Sequence, residues 1–159
     1  MEPALRWIRV EMEPAWAHIR NLRRFVRDFC VTAALPGEVA DQVAMATTEL
    51  LENATKYAST AWIHYEMQLS ARFAEVSVTN CATGQQQRIL RDFLTQVMSG
   101  DPLAMYVELL ERPVDPDGEA RSDVPSAQSG LARIRYEADA DLSLRTEGDR
   151  VSVLVRIPI

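Results

Sequence analysis

Trp16, Ile19, Leu22, Phe25, Val26 and Phe29 recur at helical spacing, while Arg20, Arg23, Arg24 and Arg27 occupy the opposite side. A period near 3.6 with opposed apolar and charged faces predicts an amphipathic helix. Pro14 opens it, and it runs to about Ala34 before Pro36-Gly37 breaks it. A second helical pattern extends from Glu38 to Tyr57, with Val39, Val43, Leu50 and Ala54 on its buried arc. Ahead of both, Ala4 to Val10 alternates loosely and reads as a first strand.

The pattern then changes to period two. Thr60 to Leu69 and Ala74 to Asn80 read as two strands joined by a short polar turn, a hairpin. Helical patterns return over Gln85 to Met98 and Pro102 to Arg112, separated by Ser99-Gly100-Asp101. From about 113 to 129 the chain carries prolines, a glycine and several Asp and Ser residues, too polar and broken to pack. Ser129-Gly130 opens a short helix to about Ala138, and strands Leu142 to Thr146 and Arg150 to Ile157 flank the turn Glu147-Gly148-Asp149. No internal repeat or second domain is visible. This element order predicts an α+β two-layer sandwich, with helices on one face of a mixed, mostly antiparallel sheet.

Composition narrows the function classes. A chain of 159 residues with 47% hydrophobic and 25% charged residues suits one ordinary globular domain with a real core. A net charge of −6 argues against a general nucleic-acid or anionic-membrane binder, which needs a basic face, but allows a local phosphate pocket. No apolar run approaches the roughly 20 residues of a membrane span. Glu2, Pro3 and Arg6 precede only a short apolar run, unlike a signal peptide. Two unpaired cysteines, Cys30 and Cys81, fit reduced thiols and a cytoplasmic address. His18 and His64 are read as structural.

The chemistry concentrates in Glu49-Leu50-Leu51-Glu52-Asn53-Ala54-Thr55-Lys56-Tyr57. Glu49, Asn53 and Lys56 stand at i, i+4 and i+7, and at about 100° per residue they fall within roughly 60° of one another. A possible base, a metal-ligand amide and a phosphate-pairing cation therefore share a face. The same spacing also suits a plain solvated face with local support. Two details favour chemistry: Asn is a poor interior helix former, and Glu49 borders the apolar arc, where burial raises a carboxyl toward useful basicity.

Glu49-x-x-x-Asn53-Ala54-x-Lys56-Tyr57 resembles the N-box of the GHKL (Bergerat-fold) ATPase superfamily, and within it the anti-sigma-factor serine kinases of the SpoIIAB/RsbW and SiaB type. The Leu22-Arg23-Arg24-Phe25-Val26 helix and the closing strands resemble the same group. The likeness covers most of the chain in element order, and only the N-box matches residue by residue. It implies ATP and Mg²⁺ as cofactors, Asn53 as the Mg²⁺ ligand, Glu49 as the group that activates an attacking hydroxyl, and Lys56 as a counter-charge for phosphate. Phosphoryl transfer depends mostly on positioning and charge compensation, which these residue types supply in outline.

Two further regions stand where the family keeps nucleotide-binding boxes. Asn80-Cys81-Ala82-Thr83-Gly84 occupies the place of an Asp followed by glycines; Asn80 offers a carbonyl oxygen to an adenine amino group without charge assistance, and Gly84 offers close backbone approach. An Asn-containing turn after a strand explains the same residues. Ser129-Gly130-Leu131-Ala132-Arg133 resembles the final glycine box, in which a turn leads into a helix and presents N–H groups to phosphate. Here Ala132 replaces a usual glycine and Arg133 a usual apolar residue; Arg133 reaches a phosphate or is simply solvated. The segment at about 113–129 takes the position of an ATP lid, and an ordinary disordered insertion explains it equally. The two helices from Gln85 to Arg112 exceed what compact anti-sigma kinases carry and lean toward the SiaB-like branch.

Two functions follow from this. One is an ATP-dependent protein serine kinase that binds and phosphorylates a STAS-type anti-anti-sigma partner, with a sigma factor as a second target and a homodimer expected by resemblance. The other is a degenerate GHKL-fold binding module with weak or no ATP use. The altered boxes favour the second, and the intact Glu49/Asn53 pair favours the first.

Overall fold

A computed structural model describes residues 6–57, 62–111 and 128–159. The elements are β1 (Arg6–Met12), α1 (Trp16–Thr32), α2 (Gly37–Tyr57), β2 (Ile63–Leu69), β3 (Phe73–Cys81), α3 (Gly84–Ser99), α4 (Pro102–Glu111), α5 (Gln128–Ala138), β4 (Asp141–Glu147) and β5 (Arg150–Pro158). Every element expected from the pattern is present, with ends shifted by a few residues. The starts expected at Ala4 and Thr60, the end at Arg112 and nearly all of the segment at about 113–129 lie outside the described residues.

The strands form one sheet in the order β1-β2-β3-β5-β4. Each pairing is antiparallel, so the mostly antiparallel expectation sharpens to a wholly antiparallel sheet among the described residues. Both expected hairpins form. Ser70 Oγ accepts from the N–H groups of Arg72 and Phe73 in the β2–β3 turn. The β4–β5 turn is Gly148-Asp149, with Gly148 at φ +60°, a left-handed conformation that glycine adopts without the Cβ penalty.

Strict alternation divides the sheet. Ile63, Tyr65, Met67 and Leu69 of β2 and Ala74, Val76 and Val78 of β3 are buried under the helices. Between them point His64, Glu66, Gln68, Glu75, Ser77 and Thr79, on the polar outer face, where Arg9 pairs with Glu66 at 2.7 Å and Arg156 with Glu75 at 2.9 Å. His64 belongs to that face, 3.6 Å from Glu11. Cys30 and Cys81 are buried free thiols, and burial pushes the Cys30 thiol up to about 11, so it is chemically quiet.

The α1 stripe differs from expectation. Its buried residues are Ile19, Leu22, Val26 and Cys30, whereas Trp16 and Phe25 are more than half exposed. The helix seats a narrower arc than its apolar residues span, because it rests on α2 and the sheet along one edge. Phe25 turns instead toward a shallow cleft of about 540 Å³ beside β1, shared with Val10, Met12, His18 and Leu22.

Helix α2 is buried on a broader arc than Val43, Leu50 and Ala54 alone, since Ala40, Ala44, Ala46, Thr47 and Leu51 are also enclosed, while Val39 is only partly so. Small residues let it lie close against its neighbours. Thr47 anchors it. Its hydroxyl donates to the Val43 carbonyl at 2.8 Å, so the fully buried Tyr65 hydroxyl, 3.0 Å away, donates to Thr47. Thr47→Val leaves that Tyr65 hydroxyl without a partner and is expected to cost about 1–3 kcal/mol. Tyr65→Phe leaves only acceptor capacity unused and should cost about 0.5–1.5 kcal/mol. Urea denaturation of both variants checks the order, and a larger loss for Tyr65→Phe would reject this bond direction.

Candidate functional site

Two residues beyond Thr47 the helix has turned by roughly 200°, so a chain anchored to the sheet through Thr47 presents Glu49 on the other side. That side faces α5. Glu49 is only 18% exposed, and its Oε1 lies 3.1 Å from Nη1 of Arg133. Arg133 Nε in turn lies 3.0 Å from Glu137 one helical turn later. One guanidinium thus bridges two carboxylates.

Gly130 completes this arrangement. A Cβ placed there would stand 2.3 Å from Oε2 of Glu49 and 3.1 Å from its Cδ. No side chain of any kind fits while the carboxylate holds its position. The first turn of α5, where N–H groups are not used within the helix, is therefore in direct contact with Glu49.

Burial raises the Glu49 carboxyl above its ordinary value of 4.5; the hydrogen bond and charge of Arg133 oppose the rise, and the charges of Glu52 and Glu137 add to it. The result is a carboxylate more basic than a solvated one, with a counter-ion beside it. Hydrogen bonding to Glu137 is the largest of the influences that hold the Arg133 proton more firmly.

The other residues of the N-box occupy the same helix face at different depths. Asn53 is half-buried and Lys56 is exposed. Among the described residues no group of three or more His, Cys, Asp or Glu is arranged to hold a metal. A divalent ion at this face therefore needs most of its oxygen ligands from phosphate and water, with the Asn53 amide as the protein's share. That donor set fits Mg²⁺ carried on a nucleotide.

Asn80 lies near the end of β3, 8% exposed, and its amide donates to the Cys81 carbonyl at 3.2 Å. The junction that follows is not a glycine-rich turn. Thr83 caps α3 and Gln86 returns a bond to the Thr83 N–H, a reciprocal capping box. Gln87 donates to the carbonyls of Ala82 and Gly148, and the Ala82 N–H to Asp149, which ties this corner to the β4–β5 hairpin. Gly84 begins α3, and an added Cβ would meet nothing nearer than 4.0 Å.

In the last box Ser129 is half-buried and Gly130 buried. Leu131 and Ala132 are core residues at 1% exposure, so any part of Leu131 in holding a ligand is left to its backbone. The structure thus brings Glu49, Gly130 and Arg133 into contact and sets Asn53 and Lys56 along the same face. The Glu49–Arg133 pair, across 84 positions, has no counterpart in local spacing; only the i, i+4 relation of Arg133 to Glu137 was visible in the chain.

Residues 12–102, more than half of the chain, match the family model described as histidine kinase-like ATPase domain. No curated protein matches the chain. Among solved structures, the fold is similar to a chain in the crystal structure of the SiaB–SiaC complex from Pseudomonas aeruginosa, with a TM-score of 0.70 and 16% identity over 96% of this chain and 89% of that one. That likeness covers more of the chain than the segment matched by the family model. With the antiparallel sheet, the helical layer and the N-box on α2, the match establishes that this chain belongs to the histidine kinase-like ATPase domain family.

Proposed function

We propose that the chain is an ATP-dependent protein serine kinase of the anti-sigma-factor type, acting as one cytoplasmic domain on a STAS-type anti-anti-sigma partner. The observation that carries this reading is the Glu49 carboxylate, mostly buried, raised in basicity and seated against the first turn of α5 on the helix face it shares with Asn53. In this reading Glu49 accepts the proton of the attacking serine hydroxyl as oxygen bonds to phosphorus and the nucleoside diphosphate departs. Asn53 presents its amide oxygen to Mg²⁺, Lys56 offsets phosphate charge, and the backbone of Ser129, Gly130 and Leu131 faces the phosphates. Mg²⁺ held there with Asn53 as its protein ligand would supply positive charge that lowers the repulsion of the phosphates toward the nucleophile. In the same reading Asn80 offers its amide oxygen to the adenine amino group and Gly84 allows close backbone approach.

A protein partner is supported by the solved neighbour, which was crystallised as a SiaB–SiaC complex. No helix among the described residues is long and apolar enough to cross a membrane, in keeping with the proposed address. A sigma factor as a second target and a homodimer belong to the same proposal.

A second reading has its own support. Arg133 occupies the candidate base, and the corner after Asn80 is closed by caps and hairpin bonds. Both features suit a module that regulates by contact alone. Calorimetry with ATP and Mg²⁺ separates the two. The kinase reading expects binding in wild type, with loss of its Mg²⁺-dependent part in Asn53→Ala. Absence of binding in the wild type rejects it in favour of the binding module.

A further inference from the structure

Arg133 stands where the sequence likeness expects an apolar residue, and it joins two carboxylates. Its Nη1 reaches the candidate base, its Nε reaches Glu137, and its side chain is 42% exposed although its partner Glu49 is 18% exposed. The outer Nη edge of this cation touches the buried carboxylate, its inner Nε is held by Glu137, and the side chain as a whole stays open to solvent. It also rises from the helix whose first turn the proposed phosphates face.

Resting on the kinase reading, we infer that Arg133 is a latch on Glu49, closed by ion pairing in the nucleotide-free protein and opened when nucleotide phosphate draws the guanidinium away. A single hydrogen bond joins Arg133 to Glu49, whereas phosphate accepts from a guanidinium in the paired, parallel mode with more charge. Glu137 keeps the guanidinium near the site during the exchange, since its bond uses Nε, about which the rigid plane swings to carry its Nη edge from Glu49 to phosphate. Glu49, already raised by burial, thereby gains further basicity only once the phosphates are in place and the opposing cation has turned away. Arg133 is a positioning residue: it acts on the reaction through Glu49.

The test follows the Glu49 carboxyl itself by ¹³C NMR titration, its resonance identified by its loss in Glu49→Gln. In the nucleotide-free protein Arg133→Gln should raise the titration midpoint, because the opposing cation is gone. Glu137→Gln should lower it, because a repelling charge disappears and Arg133 is left to Glu49 alone. Adding the non-hydrolysable analogue AMPPNP with Mg²⁺ should raise the midpoint in wild type by more than in Arg133→Gln, which has no counter-ion to lose. Calorimetry on the same samples records whether the analogue binds. Binding accompanied by equal shifts in wild type and Arg133→Gln overturns the latch alone, as does an unmoved midpoint in nucleotide-free Arg133→Gln. Absence of binding overturns the kinase reading and the exchange with it.

Discussion

Glu49→Gln is expected to lower phosphoryl transfer by about 10²–10⁴-fold while leaving nucleotide affinity nearly unchanged, the loss typical of a missing general base. The amide keeps the size of the carboxylate and still accepts from Arg133, so positioning survives and proton acceptance does not. Single-turnover transfer to a partner serine, beside calorimetric affinity, measures the two effects separately. Transfer at the wild-type rate would reject Glu49 as the base. The same variant should also change how stability responds to pH. Because the folded-state carboxyl titrates above its unfolded value, the native state holds more protons in that window, and wild-type stability falls as pH rises through it. Glu49→Gln has no such proton to lose. Thermal melts should therefore favour the variant progressively as pH rises above the ordinary carboxyl range. A relative gain by wild type over that range would mean that attraction to Arg133 outweighs burial.

The second large effect is expected at Gly130. Alanine suits a helix better than glycine by up to about 1 kcal/mol, and Gly130 has no positive φ that would make the change strained. The new Cβ nevertheless falls 2.3 Å from Glu49 Oε2, and the flexible carboxylate yields before the helix backbone does. Displacement of a reacting group by about 1 Å costs transfer on the order of 10²-fold. Gly130→Ala should thus keep or slightly raise the melting temperature while transfer collapses, and adding Glu49→Gln should produce little further loss. Full transfer in Gly130→Ala would show that the carboxylate need not occupy this seat.

The fold was largely legible in the chain because its signals are local. Period-two alternation announced β2 and β3, the Gly148 turn announced the closing hairpin, and helical spacing announced α1 and α2. Which apolar residues each helix buries was less legible. Trp16 and Phe25 satisfy the α1 periodicity but lie outside the arc that packing selects, a choice made by neighbouring elements that periodicity does not describe. The candidate site divides along the same line. Glu49, Asn53 and Lys56 share a face through one helix's geometry and could be found by counting residues. The contact of Glu49 with Gly130 and Arg133 joins α2 to α5, and no spacing rule connects positions so far apart. The corner after Asn80 shows a third case: Thr83 and Gln86, three residues apart, form a capping box that local sequence encodes without any glycine.

The clearance at Gly130 has a mechanical consequence. Leu50 and Leu51 of α2 and Leu131 and Ile134 of α5 are fully enclosed and belong to the same core that sets the distance between the two helices. The carboxylate fills that gap almost to contact, so it works as a feeler gauge for helix separation. In the proposed reading, a small shift in the core is transmitted directly to the carboxylate that accepts the proton.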